Sequence, residues 1–486
     1  MQSGKCDRTN LPLEVWGMPK KFAALEERIF EVMRSTNLPG LSMAVVEDSE
    51  ITYRRAFGYR DLDRGLPATP ATLYGVGSLT KSFTCLAIMQ LQERGLLNVD
   101  DPLDRYVDLS LKPHGETIRL WHLMTHTGGL PALGYAEAVI RKHVGASATG
   151  VPIASADDLL VFMRGAEDWV HCRPGERWFY LNEGYVLLGN VVERVSGQSY
   201  CEYVREHILS PLGMHRSFFT RGEVEKDPDA AVPYVLDREG RCIASSYMYG
   251  KISSDGGLIS NAEDMARYVA MFLGGGEWDG VRLVTEGSLR EMMRPRVATP
   301  SRPCPAFDPR PADQPASYYG YGLGIIPDFC GETLVGHSGS VLVATAYMGF
   351  VPARRIGVVL LANGAGYPLS QLGQYALAML LGEDPEELPF RRAERILADL
   401  EGVYETFRGT FQVTVRRKGG LLQIEVRDKY VDQVLPLVPE EANDHRALFY
   451  VYAAGLRTPV EFYRTHRGVE MIYERYKMRR VSRAVS

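Results

Sequence analysis

Ser78 and Lys81 stand three residues apart in Gly75-Val-Gly-Ser78-Leu-Thr-Lys81, at the head of a stretch whose spacing predicts a helix over 79–95. Residues three apart on a helix share a face, so the lysine amine can reach the serine hydroxyl, and the helix N-terminus adds free backbone N–H donors and a positive field. A serine hydroxyl is a poor nucleophile until a base takes its proton, which is what this pairing offers. An isolated S-x-x-K arises by chance about once in a chain of this length, so the pair needs company. Tyr180-Leu-Asn182 supplies some: a phenol that can share the proton with Lys81 and a carboxamide that can hold a substrate amide, both presented just before a helix over 183–196. Gly336-His337-Ser-Gly339-Ser340 supplies the rest, a histidine followed by small residues over which an extended substrate can lie closely. The Ser78 and Ser340 backbone N–H groups would then form the donor pair that an oxyanion needs. Taken together these residues describe acyl transfer.

Other spacings carry less. His122 and His126 stand four apart on an expected helix, but position 123 is Leu where a zinc peptidase has its Glu, and no third ligand is identifiable. No metal or organic cofactor is implied. Gly336-His-Ser-Gly-Ser340 misses the G-x-S-x-G elbow because Ser340 occupies the final glycine position. The basic end, Lys477, Arg479, Arg480 and Arg483, reads as a solvated surface. Among Tyr247, Tyr249, Tyr318, Tyr319 and Tyr321 most are expected to pack, with one or two lining a pocket.

Positioning these groups requires a scaffold. Phe22, Leu25, Ile29, Val32 and Met33 recur at helical spacing over 21–36, and Leu41–Val46 with Ile51–Phe57 read as two strands of a hairpin turning at 47–50. From 78 to 290 the pattern is mostly helical, with helices at 79–95, 156–164 opened by Ser155, 183–196 stopped by Gly197, and 200–208. Seven prolines between 295 and 315 predict a long surface loop without regular structure. Strands then return at 320–325, 333–335, 341–350 and 356–362, followed by a helix over 369–381. The expected fold is α/β: an antiparallel sheet built from both ends of this region, flanked by helices, with an all-α half inserted between them. Its cleft is the default place for a site. After a linker helix at 391–400, alternating apolar residues such as Val413, Val415, Leu422, Ile424 and Val426 predict a small all-β barrel. The division is 1–390 for the first domain and 391–486 for linker and barrel.

Composition narrows the function classes. The chain has 486 residues, 45% hydrophobic and 24% charged, with 55 Lys plus Arg against 60 Asp plus Glu and a net charge of -5, so no cationic field marks a nucleic-acid partner. Its seven cysteines are scattered, without C-x-x-C spacing, as in a reducing compartment. No apolar run approaches the ~20 residues of a membrane span, and residues 1–20 lack a signal-peptide stretch. The expectation is a cytoplasmic protein with neither nucleic acid nor membrane as partner.

The three motifs in this order, Ser78-x-x-Lys81, Tyr180-x-Asn182 and His337-x-Gly339, resemble the serine β-lactamase and penicillin-recognising peptidase family, in its class C-like branch with D-amino-acid peptidases and esterases. Leu123-Met-Thr-His-Thr-Gly-Gly-Leu-Pro131, Pro211-Leu-Gly-Met214, Asp255-Gly-Gly-Leu258, Tyr321-Gly-Leu-Gly324 and Ala362-Asn363 support it, and the resemblance covers roughly residues 20–380. It implies Ser78, Lys81, Tyr180 and His337 as catalytic residues, with Asn182, Gly339 and Ser340 binding substrate and oxyanion. His337 departs from the lysine usual in β-lactamases and resembles the version in certain DD-carboxypeptidases and D-aminopeptidases of the family, with electrostatic help or binding of a terminal charge as its role. The expected activity is cleavage of a peptide or small amide by a serine peptidase tolerant of or selective for D-amino acids. A carboxylesterase using the same residues and a non-catalytic assembly protein on this fold are the alternatives. The segment opening at Leu400-Glu-Gly-Val-Tyr404 looks like the lipocalin-like appendage of some family peptidases, which limits substrates or builds homo-oligomers.

Overall fold

The computed structural model describes residues 20–250, 253–308, 310, 314–427 and 429–482. Residues 1–19, which carry most of the export reading, and Arg483 of the basic end lie outside them. The expected hairpin forms as Gly40–Glu47 and Glu50–Asp61. Asp48 and Ser49 between them take φ of 51° and 69°, the backbone with which a two-residue turn matches the twist of its strands.

Nine antiparallel strands make the main sheet, in the order Val297–Ala298, Tyr318–Tyr319, Gly324–Phe329, Glu332–Ser340, Thr345–Val351, Ile356–Ala362, Gly40–Glu47, Glu50–Asp61 and Leu66–Pro67. The N-terminal hairpin thus closes against the last strand, with Leu41 opposite Ala362 and Val45 opposite Val358. Ile356–Ala362 is buried along its whole length, which is why it reads as an unbroken apolar run rather than an alternation. Ala23–Thr36 and Leu369–Leu381 cover one face of the sheet. The inserted helical block covers the other, chiefly through Ala262–Leu273.

Inside that block Thr80–Glu93 is buried from Thr80 to Leu91. Asn182–Ser196 ends at Gly197 in the left-handed conformation, and the Ser155 hydroxyl caps Ala156–Phe162 by accepting the Asp158 N–H. The stretch read as one helix over 200–208 is an α-helix over Tyr200–Val204 continued by a π-turn over Arg205–Leu209.

Three strand expectations change. The strand read over 320–325 begins only at Gly324 and runs to Phe329, because residues 320–323 turn the chain back after Tyr318–Tyr319, with Gly322 at φ 69°. The segment read as 333–335 runs on to Ser340, because pairing with Thr345–Val351 holds residues of low strand propensity in line. The strand expected from Val341 begins only at Thr345, after a turn with Leu342 at φ 59°. The proline-rich segment is neither wholly irregular nor wholly on the surface. Val297 pairs with Tyr319, and Phe307 is buried in the core of the C-terminal barrel.

That barrel follows the helix Pro389–Leu400 and has eight strands, each paired with the next and the last with the first, as where Tyr404 lies opposite Arg480. Closure leaves no unpaired edge. Val413, Val415, Leu422, Ile424, Phe449 and Phe462 fill the interior, and Ile396, Leu397 and Leu400 of the linker helix pack on it. Asp399 on that helix holds Arg464 at 2.7 Å, while Glu394 holds Arg28 of the first helix at 2.8 Å, so the linker is tied to both domains. At the basic end Lys477 and Arg479 both pair with Glu470, and Arg480 with Asp399.

Candidate active site

Ser78 sits on an elbow between a strand and a helix. The short strand Tyr74–Gly75 pairs with Ile259–Ser260, and Gly77 turns the chain at φ 52° into the first turn of the helix. The Thr80 hydroxyl donates to the Gly77 carbonyl at 2.7 Å and accepts the Leu258 N–H at 3.2 Å, which fixes the turn. Ser78 is half-buried, whereas Lys81, three residues on, is completely buried. Its ammonium donates to Ser78 Oγ at 3.0 Å and to the Asp255 carbonyl at 2.6 Å. The rings of Tyr180 and Tyr185 approach the same nitrogen at 4.9 and 5.5 Å and stabilise its charge through their π faces.

The strand carrying His337, Gly339 and Ser340 lies directly against this elbow. A Cβ on Gly339 would come within 2.0 Å of the Val76 carbonyl oxygen and 3.1 Å of the Ser78 nitrogen, and one on Gly77 within 3.0 Å of the Ser340 nitrogen. Only glycines permit the two backbones to meet so closely, and the meeting brings the neighbourhoods of the Ser78 and Ser340 amides together. Pairing with the strand Gly324–Phe329 ends at Gly336, so residues 337–340 face the elbow along that edge.

Tyr180 and Asn182 enter from the helical side. The Leu181 N–H between them donates to His126 Nδ1 at 2.9 Å, and the Tyr180 ring lies 4.2 Å from the His126 ring and 6.3 Å from that of His337. Asn182 opens its helix and lines the cleft with Ser78 and Ser340. All seven residues singled out in the sequence therefore border one region.

His337 is held at both nitrogens. Nδ1 lies 2.6 Å from the Ser338 carbonyl and Nε2 lies 2.8 Å from the Tyr319 hydroxyl. A carbonyl only accepts, so Nδ1 carries the hydrogen and Tyr319 donates to Nε2, the neutral tautomer. Burial, and then the Lys81 charge, pull the imidazole down to about 4.

Several neighbours were not assigned a role from sequence. The Tyr135 hydroxyl donates to Asp255 Oδ2 at 2.5 Å, and the Tyr135 and Leu133 N–H groups donate to Glu183 Oε1. Burial raises the Asp255 carboxyl, with Lys81 pulling the other way, and burial likewise raises Glu183. Asp255 carried a signal only as part of Asp255-Gly-Gly-Leu258, and Tyr135 carried none. His126 takes φ 58° and lies beyond the helix Leu120–Met124, so the two histidines do not share a helix face. His122 Nδ1 accepts the Arg119 N–H, and burial holds its ring at about 4. Burial, and then Lys81 and His337, keep the His126 imidazole well below its ordinary range. Among the described residues no group of three His, Cys, Asp or Glu could hold a metal ion, and no helix is long and apolar enough to cross a membrane.

The space in front of Ser78 is a cleft of about 800 Å³ lined by Tyr135, Asn182, Tyr247, Tyr249, Asp255 and Val341 among others. A second cavity of about 490 Å³ lies on the other side of Tyr180, beside Tyr319, His337 and Ser338.

Known proteins match this chain in both domains. Residues 25–381 match the family described as Beta-lactamase, and residues 385–479 match the one described as Pab87 octamerisation domain. Protein flp of Staphylococcus aureus (strain MW2) is 26% identical over 335 residues, 68% of this chain. The match spans 61% of that relative's length. Penicillin-binding protein 4* of Bacillus subtilis (strain 168) is 31% identical over 214 residues, 43% of this chain and 45% of that protein. Among solved structures, the octameric penicillin-binding protein homologue from Pyrococcus abyssi superposes with a TM-score of 0.87 at 42% identity, covering 94% of this chain and 99% of that one. The penicillin binding protein from Bacillus halodurans superposes with a TM-score of 0.57 at 25% identity, over 73% of this chain and 97% of that one.

Proposed function

Since the chain belongs to the β-lactamase family, its elbow serine is to be read as a nucleophile, and we propose a serine hydrolase that works through an acyl-enzyme on Ser78. The observation that carries this reading is the buried Lys81 nitrogen 3.0 Å from Ser78 Oγ. Once it has given up its own proton, the Lys81 amine takes the hydroxyl proton as Oγ attacks the substrate carbonyl. The carbonyl electrons move onto oxygen, which the Ser78 and Ser340 N–H groups stabilise. As the tetrahedral intermediate collapses, the departing nitrogen or oxygen takes a proton delivered through Tyr180 and Lys81. Water then attacks the ester on Ser78, giving its proton to the same pair, and the acid and the free serine return. Asn182 orients the substrate.

The substrate favoured is a peptide or small amide, with D-residues accepted beside the scissile bond as the resemblance of His337-x-Gly339 implies. An esterase with the same residues would form the same acyl-enzyme. A non-catalytic scaffold has no physical need for Ser78, Lys81, Tyr180 and Asn182 around one cleft. The C-terminal barrel and the octameric neighbour support a homo-oligomer. Incubation with a fluorophosphonate, followed by intact mass and peptide mapping, is expected to find one adduct, on Ser78. Modification of another serine, or none on the folded protein, would overturn the mechanism. Turnover of p-nitrophenyl esters with no cleavage of any peptide in a panel would assign the esterase.

A further inference from the structure

The two cavities that meet at Tyr180 differ in chemistry but agree in one respect. The one beside His337 is lined by hydroxyls, a carboxamide, rings and aliphatic groups, among them Ser317, Tyr319, Ser338 and Gln374, and none of its described lining residues carries a formal charge. The cleft in front of Ser78 includes the carboxylates Glu137, Asp158 and Asp255, and none of its described lining residues is cationic. Lys81 lies between but lines neither cavity, and two of its three N–H donors go to Ser78 Oγ and the Asp255 carbonyl. His337 has spent Nδ1–H on the Ser338 carbonyl and Nε2 on the Tyr319 hydroxyl, so it has no free donor for an anion.

We propose that this site selects substrates with no free carboxylate beside the scissile bond: neutral amides and esters, such as an internal peptide bond or a blocked C-terminus. The inference rests on the serine-hydrolase reading and names its substrate class. A carboxylate moved from water into either cavity loses hydration that no cation replaces, and in the larger cleft it also meets like charges. An amide or ester group is satisfied by the neutral donors present. In this arrangement His337 is a positioning residue that holds Tyr319 against the cavity wall.

The experiment compares three substrates sharing one acyl portion and differing only at the other end, as free acid, primary amide and methyl ester, with the full-length protein at neutral pH. The expected kcat/KM is at least about tenfold higher for amide and ester than for the acid. His337→Lys is expected to narrow that gap by favouring the acid, and Gln374→Lys, on the same cavity wall, does so should the first variant fold poorly. Equal or faster turnover of the free acid, with Ser78 still labelled by a fluorophosphonate, overturns the charge selection alone. No labelling and no turnover of any of the three overturns the hydrolase reading with it.

Discussion

Gly339 acts through the side chain it lacks. Its Cα faces the Val76 carbonyl so closely that a methyl group would sit 2.0 Å from the oxygen, forcing the strand and the serine elbow apart. Gly339→Ala should therefore misalign the Ser78 and Ser340 donors and lower kcat roughly 10²-fold, the scale of losing one oxyanion donor. Steady-state kinetics with a smaller loss in kcat than in substrate affinity would show that the strand binds rather than stabilises charge. Ser78→Ala should abolish turnover yet leave unfolding within about 0.5 kcal/mol of wild type, since the hydroxyl is half-buried and its removal opens no core cavity. The histidines give a pH signature with a definite sign. His122 and His337 titrate near 4 in the folded chain against about 6.5 unfolded. Above 6.5 neither state binds the proton and their contribution is whole. Between 6.5 and 4 the unfolded chain gains protons that the folded one refuses, so stability drains as pH falls. Thermal unfolding should drop by several degrees from pH 7 to 4.5, less so in His337→Asn, and a flat profile for the wild type would refute the buried neutral state.

Elements differ in how plainly the sequence announces them, and the difference is physical. Ile356–Ala362 and Leu369–Leu381 carry unbroken apolar or helical periodicity because each is buried by partners on fixed faces, so their limits were legible. The strand Glu332–Ser340 was only partly so, since its last residues are held by a neighbour and not by their own propensity. Ser78 with Lys81, and Tyr180 with Asn182, were legible because their spacing along the chain encodes a turn of helix or a turn before one, whereas His337 and Gly339 stood out only by their resemblance to a family motif. Asp255 with Tyr135, and His337 with Tyr319, were not, because those pairs exist only once distant elements fold together. Phe307 is the sharpest case. Its neighbours Pro303, Pro305 and Pro309 announce a loop, yet its ring enters the barrel core with Ile396 and Leu397. It thereby anchors to the barrel a segment whose two ends, Val297–Ala298 and Tyr318–Tyr319, form the sheet edge beside His337. Phe307→Ala should cost about 3 kcal/mol, read in denaturant titration as earlier loss of barrel structure. Retention of wild-type stability would mean that the anchor is incidental.

At the scale of the whole molecule the closed barrel sets the terms of assembly. A barrel without an edge cannot recruit another copy by strand addition, so association must use side chains on its outer faces. Large apolar side chains stand exposed there: Val438, Tyr452 and Leu456 are 42%, 61% and 68% exposed on three successive strands. Val438 lies opposite Tyr450, whose ring is covered by the Arg457 guanidinium at 3.5 Å, and Ala453 lies opposite Leu456. Aromatic and aliphatic groups beside an arginine are the composition of an interface core. On the homo-oligomer proposed above, the occupant of this face is a second copy of this chain. Light scattering on the eluting full-length protein should give a mass of several chains. Tyr452→Asp combined with Leu456→Asp introduces charges that must be desolvated on association and should shift the population to smaller species. Since both positions are exposed, folding and fluorophosphonate labelling of Ser78 should persist in the dissociated form, which separates a broken interface from a broken domain. A wild-type protein that elutes as a single chain, or a double variant that keeps the full mass, would remove the barrel's outer face from the account of assembly.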